Sequence, residues 1–345
     1  LLIFFYMKKV AIIGAGWYGC HIASILKKHN YEVSIFEKGK SIFNEASGLN
    51  QNRLHLGFHY ARNHRTRMQT IEGYKKFIET YGSTIIKPSR NLYVVPNKKS
   101  LLDFKTYTQI MEIAGVPFKI EDNPAYLRDI EGTISCDEMI ISPKLAKDFF
   151  MKKIGDNLIL NNKILGIENT HESVCVDNNF YDHCIDCTWG HFKSLENVNY
   201  EVSHLCILKN SSADVNSDAL TFVDGNLFSI YPTENKDFFT LSSVANTPLF
   251  LTKNNDEAIN YIQNIDEALL NQQAEKMFTE IEEFYPDFRK YWNVVDHQLS
   301  IKTKLLGDSA DRSCYVIKDK NLITVMSGKI DTVFYAANKV LDLLS

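Results

Sequence analysis

The sequence predicts an α/β protein, a Rossmann-like dinucleotide-binding domain with an antiparallel-sheet domain inserted into it. Three observations carry that prediction. A short apolar run over residues 8–13 leads into Gly14-Ala15-Gly16-Trp17-Tyr18-Gly19, followed by a helical pattern and a second strand that ends at Glu37. The middle of the chain, 200–251, changes to alternating strand patterns with turn signals at Asp224-Gly225 and Pro232. Near the end, a strand over 321–325 runs into another small-residue turn, Ser327-Gly328-Lys329, and a helix over 331–344. The nucleotide domain is expected at 7–85, 137–198 and 300–345, and the inserted substrate domain at 86–136 and 199–299.

Each element follows from its pattern. The run 8–13 is continuously apolar, as a parallel strand buried on both faces must be. Ile22, Ile25 and Leu26 recur at helical spacing until Asn30, and 32–36 is the second strand. A helix is expected over 70–81, a strand over 91–95 stopped by Pro96, and an amphipathic helix over 101–114. Ser142-Pro143 reads as a helix start with proline just inside it, continuing to 154. Strands are expected at 158–160, 163–168, 174–176 and 183–188, and one long helix over 259–284 ended by Pro286.

Composition bounds the function. The chain has 345 residues and a net charge of −4, so no basic field recruits nucleic acid. No apolar run is long enough for a spanning helix. Residues 1–6 are apolar and precede Met7; they read as an extension, with Met7 as the functional start. Seven scattered cysteines, an odd number, suggest reduced thiols and a cytoplasmic protein. Cys184 and Cys187 form a CxxC, but on a strand residues three apart face opposite sides, and no second pair completes a zinc knuckle. No metal site is expected.

The glycines have separate tasks. Gly14 permits a tight turn, Gly16 lets a pyrophosphate approach the backbone, and Gly19 lets helix and strand pack closely, while the helix N-terminus faces the anion. Glu37 stands 21 residues beyond Gly16, where its carboxylate can accept from an adenosine ribose. These features predict a bound dinucleotide without separating NAD from FAD.

A resemblance separates them. Glu37-Lys38, followed by the stretch from Ala46-Ser47-Gly48 through Asn50-Gln51-Asn52-Arg53-Leu54-His55 to Gly57-Phe58-His59-Tyr60, resembles the second FAD-contact segment of the D-amino-acid-oxidase-like superfamily of FAD-dependent oxidoreductases. In that superfamily, of glutathione-reductase-like architecture, the segment crosses the pyrophosphate and runs past the isoalloxazine ring. The stretch Lys163-Ile164-Leu165-Gly166-Ile167 is similar to its adenine-side strand, and Ile185-Asp186-Cys187-Thr188-Trp189-Gly190 to its crossing beneath the cofactor. Met326-Ser327-Gly328-Lys329-Ile330-Asp331-Thr332 occupies the place of its last helix start, though with Ser-Gly-Lys instead of a glycine-rich run. The resemblance implies FAD contacts at Gly14, Gly16, Trp17, Tyr18, Gly19, Glu37, Lys38, Ser47, Asn50, Gln51, Arg53, Leu54, Ile164, Thr188, Trp189, Gly328, Lys329, Ile330, Asp331 and Thr332.

The implied activity is oxidation of a C–N or C–O bond in a small polar substrate (an amine, amino acid or sugar derivative). Hydride passes to flavin N5, and oxygen or another acceptor reoxidises the cofactor. Lys329 and the N–H groups of residues 328–330 are candidates to stabilise charge on reduced flavin. If residues 53–59 are extended, Arg53, His55, Gly57 and His59 share one face, and His55 is the candidate base for an alcohol substrate. Buried structural histidines fit that pattern equally well. Ser229 and Tyr231 alternate onto one strand face and are candidates to line the substrate cavity, although aromatic residues there also suit a core. Arg312 is a candidate fork for a substrate carboxylate, with an ion pair to Asp311 as the alternative. Arg62, Arg65 and Arg67 with His64 form a basic stretch that reads as a solvated helix face, with contact to an anionic substrate group as the alternative. Three other activities fit the same cofactor fold: a non-redox flavin isomerase or sugar mutase, a regulatory dinucleotide binder, and a flavin monooxygenase. Asp186-Cys187-Thr188-Trp189-Gly190 is a poor version of the turn expected of the last.

Overall fold

A computed structural model describes residues 7–193, 195, 197–211, 217–306, 314–326 and 328–345. They fall into two compact units. One takes in the chain up to Gly48, then Lys144–Val198 and Leu305–Ser345; the other comprises Leu49–Pro143 and Asn199–Lys304. Residues 1–6, Arg312 and Ser327 lie outside the described residues.

The first unit is built on a six-stranded sheet. Its order is Tyr315–Asp319, Leu322–Met326, His183–Asp186, β1 (Lys9–Ile13), β2 (Glu32–Phe36) and Leu158–Ile159. All neighbours are parallel except the first pair, which is antiparallel. Val10, Ala11 and Ile12 are fully buried, as a central parallel strand requires. Helix α1 (Trp17–Lys28) lies against the Ile12 side, where a methyl on Gly19 would come 3.5 Å from Ile12, and packs beside the last helix, Val333–Leu344. Ala11 and Ile13 instead join a core with Val174 and Val176 of a three-stranded antiparallel sheet. The strand expected over 163–168 begins only at Ile167. The Asp177 carboxylate takes the N–H groups of Leu165 and Gly166, which turns the backbone away from a ladder. Ile164 is buried in that core all the same.

The second unit carries a small sheet and a large one. In the small sheet, β3 (Arg53–Leu54) and β4 (Ile85–Ile86) pair on either side of Met139–Ile141. This pairing ties the chain from Leu49 onward to the second unit, whereas the sequence reading kept residues up to 85 and from 137 with the nucleotide domain. The large sheet has nine strands among the described residues; β5 (Asn91–Pro96) runs parallel to Ala219–Phe222 and antiparallel to Ile130–Cys136. Its residues alternate: Leu92 and Val94 pack with Met277, Phe278 and Ile281 of the helix Glu267–Glu282. Tyr93 and Val95 pack on the other side with Tyr107 and Met111 of the helix Phe104–Ile113. Burying each such side chain contributes about 1.5–3 kcal/mol.

One long helix was expected over 259–284; there are two, Asn255–Gln263 and Glu267–Glu282. The Asp266 carboxylate accepts from Ala268 N at 2.9 Å and starts the second afresh. All seven cysteines are free thiols. No helix among the described residues is long and apolar enough to cross a membrane.

Candidate active site

In the first unit the glycine turn is held from three sides. Gly14 has φ +93°, open to glycine and strained for other residues. A methyl on Gly19 would stand 2.0 Å from the Gly14 carbonyl, and one on Gly16 would stand 2.8 Å from Ser47 Oγ. The backbone at Gly16 is therefore a cradle that any side chain would fill. Helix α1 begins immediately after, with no acidic residue in its first turn, so its positive end is left for an anion. Ser47 Oγ accepts from Trp17 N at 3.1 Å. Glu37 is buried, with one oxygen accepting from Ala15 N at 2.9 Å and the other from Gly39 N at 2.8 Å. Each oxygen keeps a second lone pair, which suits ribose hydroxyls. This donor and acceptor set fits a dinucleotide pyrophosphate and its ribose.

The far end of the chain comes to the same turn. The Tyr18 hydroxyl lies 2.5 Å from the Lys329 carbonyl and 2.6 Å from Thr332 Oγ1. A short 3₁₀ turn, Ile330–Thr332, leads into the last helix, so the regular helix starts two residues later than expected. Lys329 Nζ is 3.2 Å from Asp331 Oδ2, and both side chains are buried. The lysine charge offered to a reduced flavin is thus already balanced by Asp331. On the neighbouring crossing, Asp186 Oδ1 accepts from Thr188 N and Thr188 Oγ1 at 2.8 and 2.7 Å, and Trp189 and Gly190 both have positive φ. Burial pushes the Asp186 carboxyl up, against those hydrogen bonds. Two further expected contacts have partners within the unit: Trp17 is buried and stacks on Phe43 with centroids 5.1 Å apart, and Lys38 pairs with Glu45 at 2.8 Å.

In the second unit, residues 53–59 are not extended. Only Arg53–Leu54 is strand; Gly57 takes φ +109° and Phe58–Tyr60 is a 3₁₀ turn, so the shared face expected of Arg53, His55, Gly57 and His59 does not form. Asn50 Oδ1 accepts from Asn52 N, making a local turn. Gln51 bridges two strands of the large sheet, through Ser229 Oγ at 2.9 Å and Thr240 Oγ1 at 3.2 Å. Leu54 is fully buried.

What gathers the candidates is Glu138, which the sequence reading did not single out. Its carboxylate, fully buried, accepts from Leu56 N at 2.7 Å and from Tyr93 Oη at 2.8 Å, and Arg53 lies 3.2 Å away. His55 Nδ1 stands 3.5 Å from the same Oε2. Burial alone would raise this carboxyl; His55 first, then Arg53 and the Leu56 N–H, hold it at about 2. Arg53 also lies over the Tyr231 ring, 4.3 Å from its centroid. Tyr231 is fully buried, accepts from Asn91 Nδ2 at 2.7 Å and supports the cage. The exposed His59 stacks on His55 with centroids 5.5 Å apart. Arg62 pairs with Asp224, and buried Arg67 donates to the Tyr60 and Ala61 carbonyls, so this basic stretch is only partly a solvated face. The one available signal for Glu138 was an acidic residue just before the apolar Met139-Ile140-Ile141.

The family model described as FAD dependent oxidoreductase (DAO) matches residues 9–292. A curated relative named FAD-dependent monooxygenase FPY4, from Fusarium mangiferae, is 38% identical over 97% of this chain and 90% of its own length. The FAD-dependent monooxygenase kojA of Aspergillus flavus is 25% identical over 98% of this chain and 86% of its own. Among solved structures, L-alpha-glycerophosphate oxidase from Mycoplasma pneumoniae, with FAD bound, superposes with TM-score 0.75 at 14% identity, covering 98% of this chain and 95% of that one. Glycine oxidase from Geobacillus kaustophilus gives TM-score 0.72 at 13% identity over 98% and 95% of the two chains. At such identity these two show a shared fold alone. The family match and the curated relatives go further: the chain belongs to the DAO family of FAD-dependent oxidoreductases.

Proposed function

We propose that the protein oxidises a small polar substrate at a carbon bearing a hydroxyl or an amine, with His55 as the base. When bound, FAD supplies the hydride acceptor at N5, and oxygen or another acceptor takes the electrons on. Gly14, Gly16, Gly19, Glu37 and Ser47 hold the nucleotide part, and residues 328–332 hold the other end. His55 takes the proton that leaves the substrate, and Glu138, ionised throughout, balances the imidazolium that results. Arg53 is a positioning residue, since its guanidinium fixes the carboxylate that fixes His55. The seven free thiols support a cytoplasmic location.

The single observation behind this reading is the Glu138–His55 pair, a buried carboxylate held at about 2 and placed 3.5 Å from an imidazole nitrogen. Such a pair favours a hydroxyl substrate, whose proton must be removed. An amine that binds deprotonated needs no base. A second reading, monooxygenation, is favoured by the names of the two curated relatives.

Anaerobic bleaching of the yellow enzyme separates them. A panel of hydroxy acids, polyols, amino sugars and amines is mixed with protein free of pyridine nucleotide. Direct bleaching, slowed about a hundredfold or more in His55→Asn at unchanged FAD content, is the expected result. Bleaching only by NAD(P)H, followed by entry of an oxygen atom from O2 into the organic product, replaces the first reading by the second.

A further inference from the structure

The second unit contains a cluster that this chemistry leaves unused. His204 and Cys206 stand two residues apart on the strand Val198–Asn210, so their side chains leave the same face. His297 comes from Trp292–Leu305, the strand paired with it. His204 Nε2 lies 2.9 Å from His297 Nδ1 and 3.9 Å from Cys206 Sγ. All three ligand atoms fall within 4.8 Å of one another. Met277, on the helix Glu267–Glu282, brings a fourth soft donor, with Sδ 3.9 Å from Cys206 Sγ. His204, Cys206 and Met277 are fully buried, while His297 is partly exposed and leaves a way in.

The protonation states suit a metal. Asn271 Oδ1 is 3.1 Å from His297 Nε2, and an amide oxygen only accepts. His297 therefore carries its proton on Nε2 and turns a bare Nδ1 lone pair into the cluster, the orientation that outer partners give metal-bound histidines. His204 is fully buried beside it. Its Nδ1 is buried with no hydrogen-bond partner, which costs about 1–3 kcal/mol that an aliphatic side chain would not incur.

We propose that His204 Nε2, His297 Nδ1 and Cys206 Sγ bind a copper ion, with the Met277 thioether as a weaker fourth ligand. Two imidazoles, a thiolate and a thioether form a soft set, and copper stands highest among the divalent first-row ions for nitrogen and sulfur donors. The thioether is a soft, neutral donor of the kind that suits Cu(I). Ligands at roughly 2.0–2.3 Å around a common centre stand about 3.3–3.8 Å apart. The two imidazole nitrogens must separate by a few tenths of an ångström, a small ring rotation. As the Sγ–Cu bond forms, the Cys206 proton leaves to solvent and the His204 Nε2 proton moves to the unpartnered Nδ1. No electron is transferred.

The test uses the full FAD-loaded chain, titrated with Cu(I) against a chelator under reductant, and with zinc in parallel, with metal per chain measured after desalting. About one copper per chain is expected. Affinity should fall roughly tenfold or more in each of Cys206→Ala, His297→Gln and Met277→Leu, with FAD absorbance unchanged. Should the buried Cys206→Ala fail to fold, the partly exposed His297→Gln carries the comparison. Copper well below one per chain, equal affinity in wild type and folded variants, or preferential retention of zinc overturns the assignment.

Discussion

Two buried carboxylates, one in each unit, are held in opposite ways. Glu37 is surrounded by backbone: its partners are the N–H groups of Ala15 and Gly39, neutral donors within 22 residues of it. Glu138 is surrounded by side chains, among them a guanidinium and an imidazole brought from more than eighty residues away. Backbone donors leave Glu37 with capacity for a ligand. The guanidinium and imidazole commit Glu138 to their own arrangement. The first is a receptor, the second a clamp on other residues.

The strongest challenge to the receptor half is Gly16→Val, whose branched side chain collides with Ser47 Oγ, already 2.8 Å from a single methyl. Complete loss of the yellow chromophore after purification is expected, and normal occupancy would remove the cradle from the argument. For the clamp, Glu138→Ala leaves the Arg53 charge buried and unpaired, a loss of about 3–5 kcal/mol by denaturant titration. Glu138→Gln, which keeps the shape and the Leu56 bond, should lose less stability and still lose turnover.

The pH dependence sharpens the same contrast. Glu138 has its carboxyl lowered from 4.5 to about 2 in the folded chain. Its contribution is present above the unfolded value of 4.5 and is lost as pH falls from there towards 2. The amount is on the order of 3 kcal/mol. Acid titration of wild type against Glu138→Gln should show this limb in the first protein only. The smallest effect belongs to Ser47→Ala, which removes the acceptor for Trp17 N and should lower the melting temperature by the equivalent of about 1 kcal/mol. No change at all would mean that water replaces the hydroxyl.

The same contrast explains what the sequence made legible. The glycine turn, its flanking strands and Glu37 are local: spacing alone relates them, and each was readable. The partners of Glu138 come from other strands, and nothing near Arg53 in the chain announces a carboxylate. The run 163–168 looked like a strand because its side chains are apolar, yet the Asp177 side chain captures its N–H groups. The break before Glu267 was readable in principle from Asp266, a helix-starting residue inside a helical pattern. Alternation puts Ser229 and Tyr231 on one strand face but does not report what covers that face; Arg53 lies over the Tyr231 ring.

The Tyr18 bond to the Lys329 carbonyl bears on how the protein is made on the ribosome. The strand Leu322–Met326 that extends its sheet, and the turn that Tyr18 grips, follow the glycine turn by more than 300 residues. Until those residues emerge, the nascent nucleotide unit lacks a sheet strand and the last helix. The sheet of that unit is therefore completed only once residues 322–326 have been made, and the Tyr18 contacts only once residue 332 has followed.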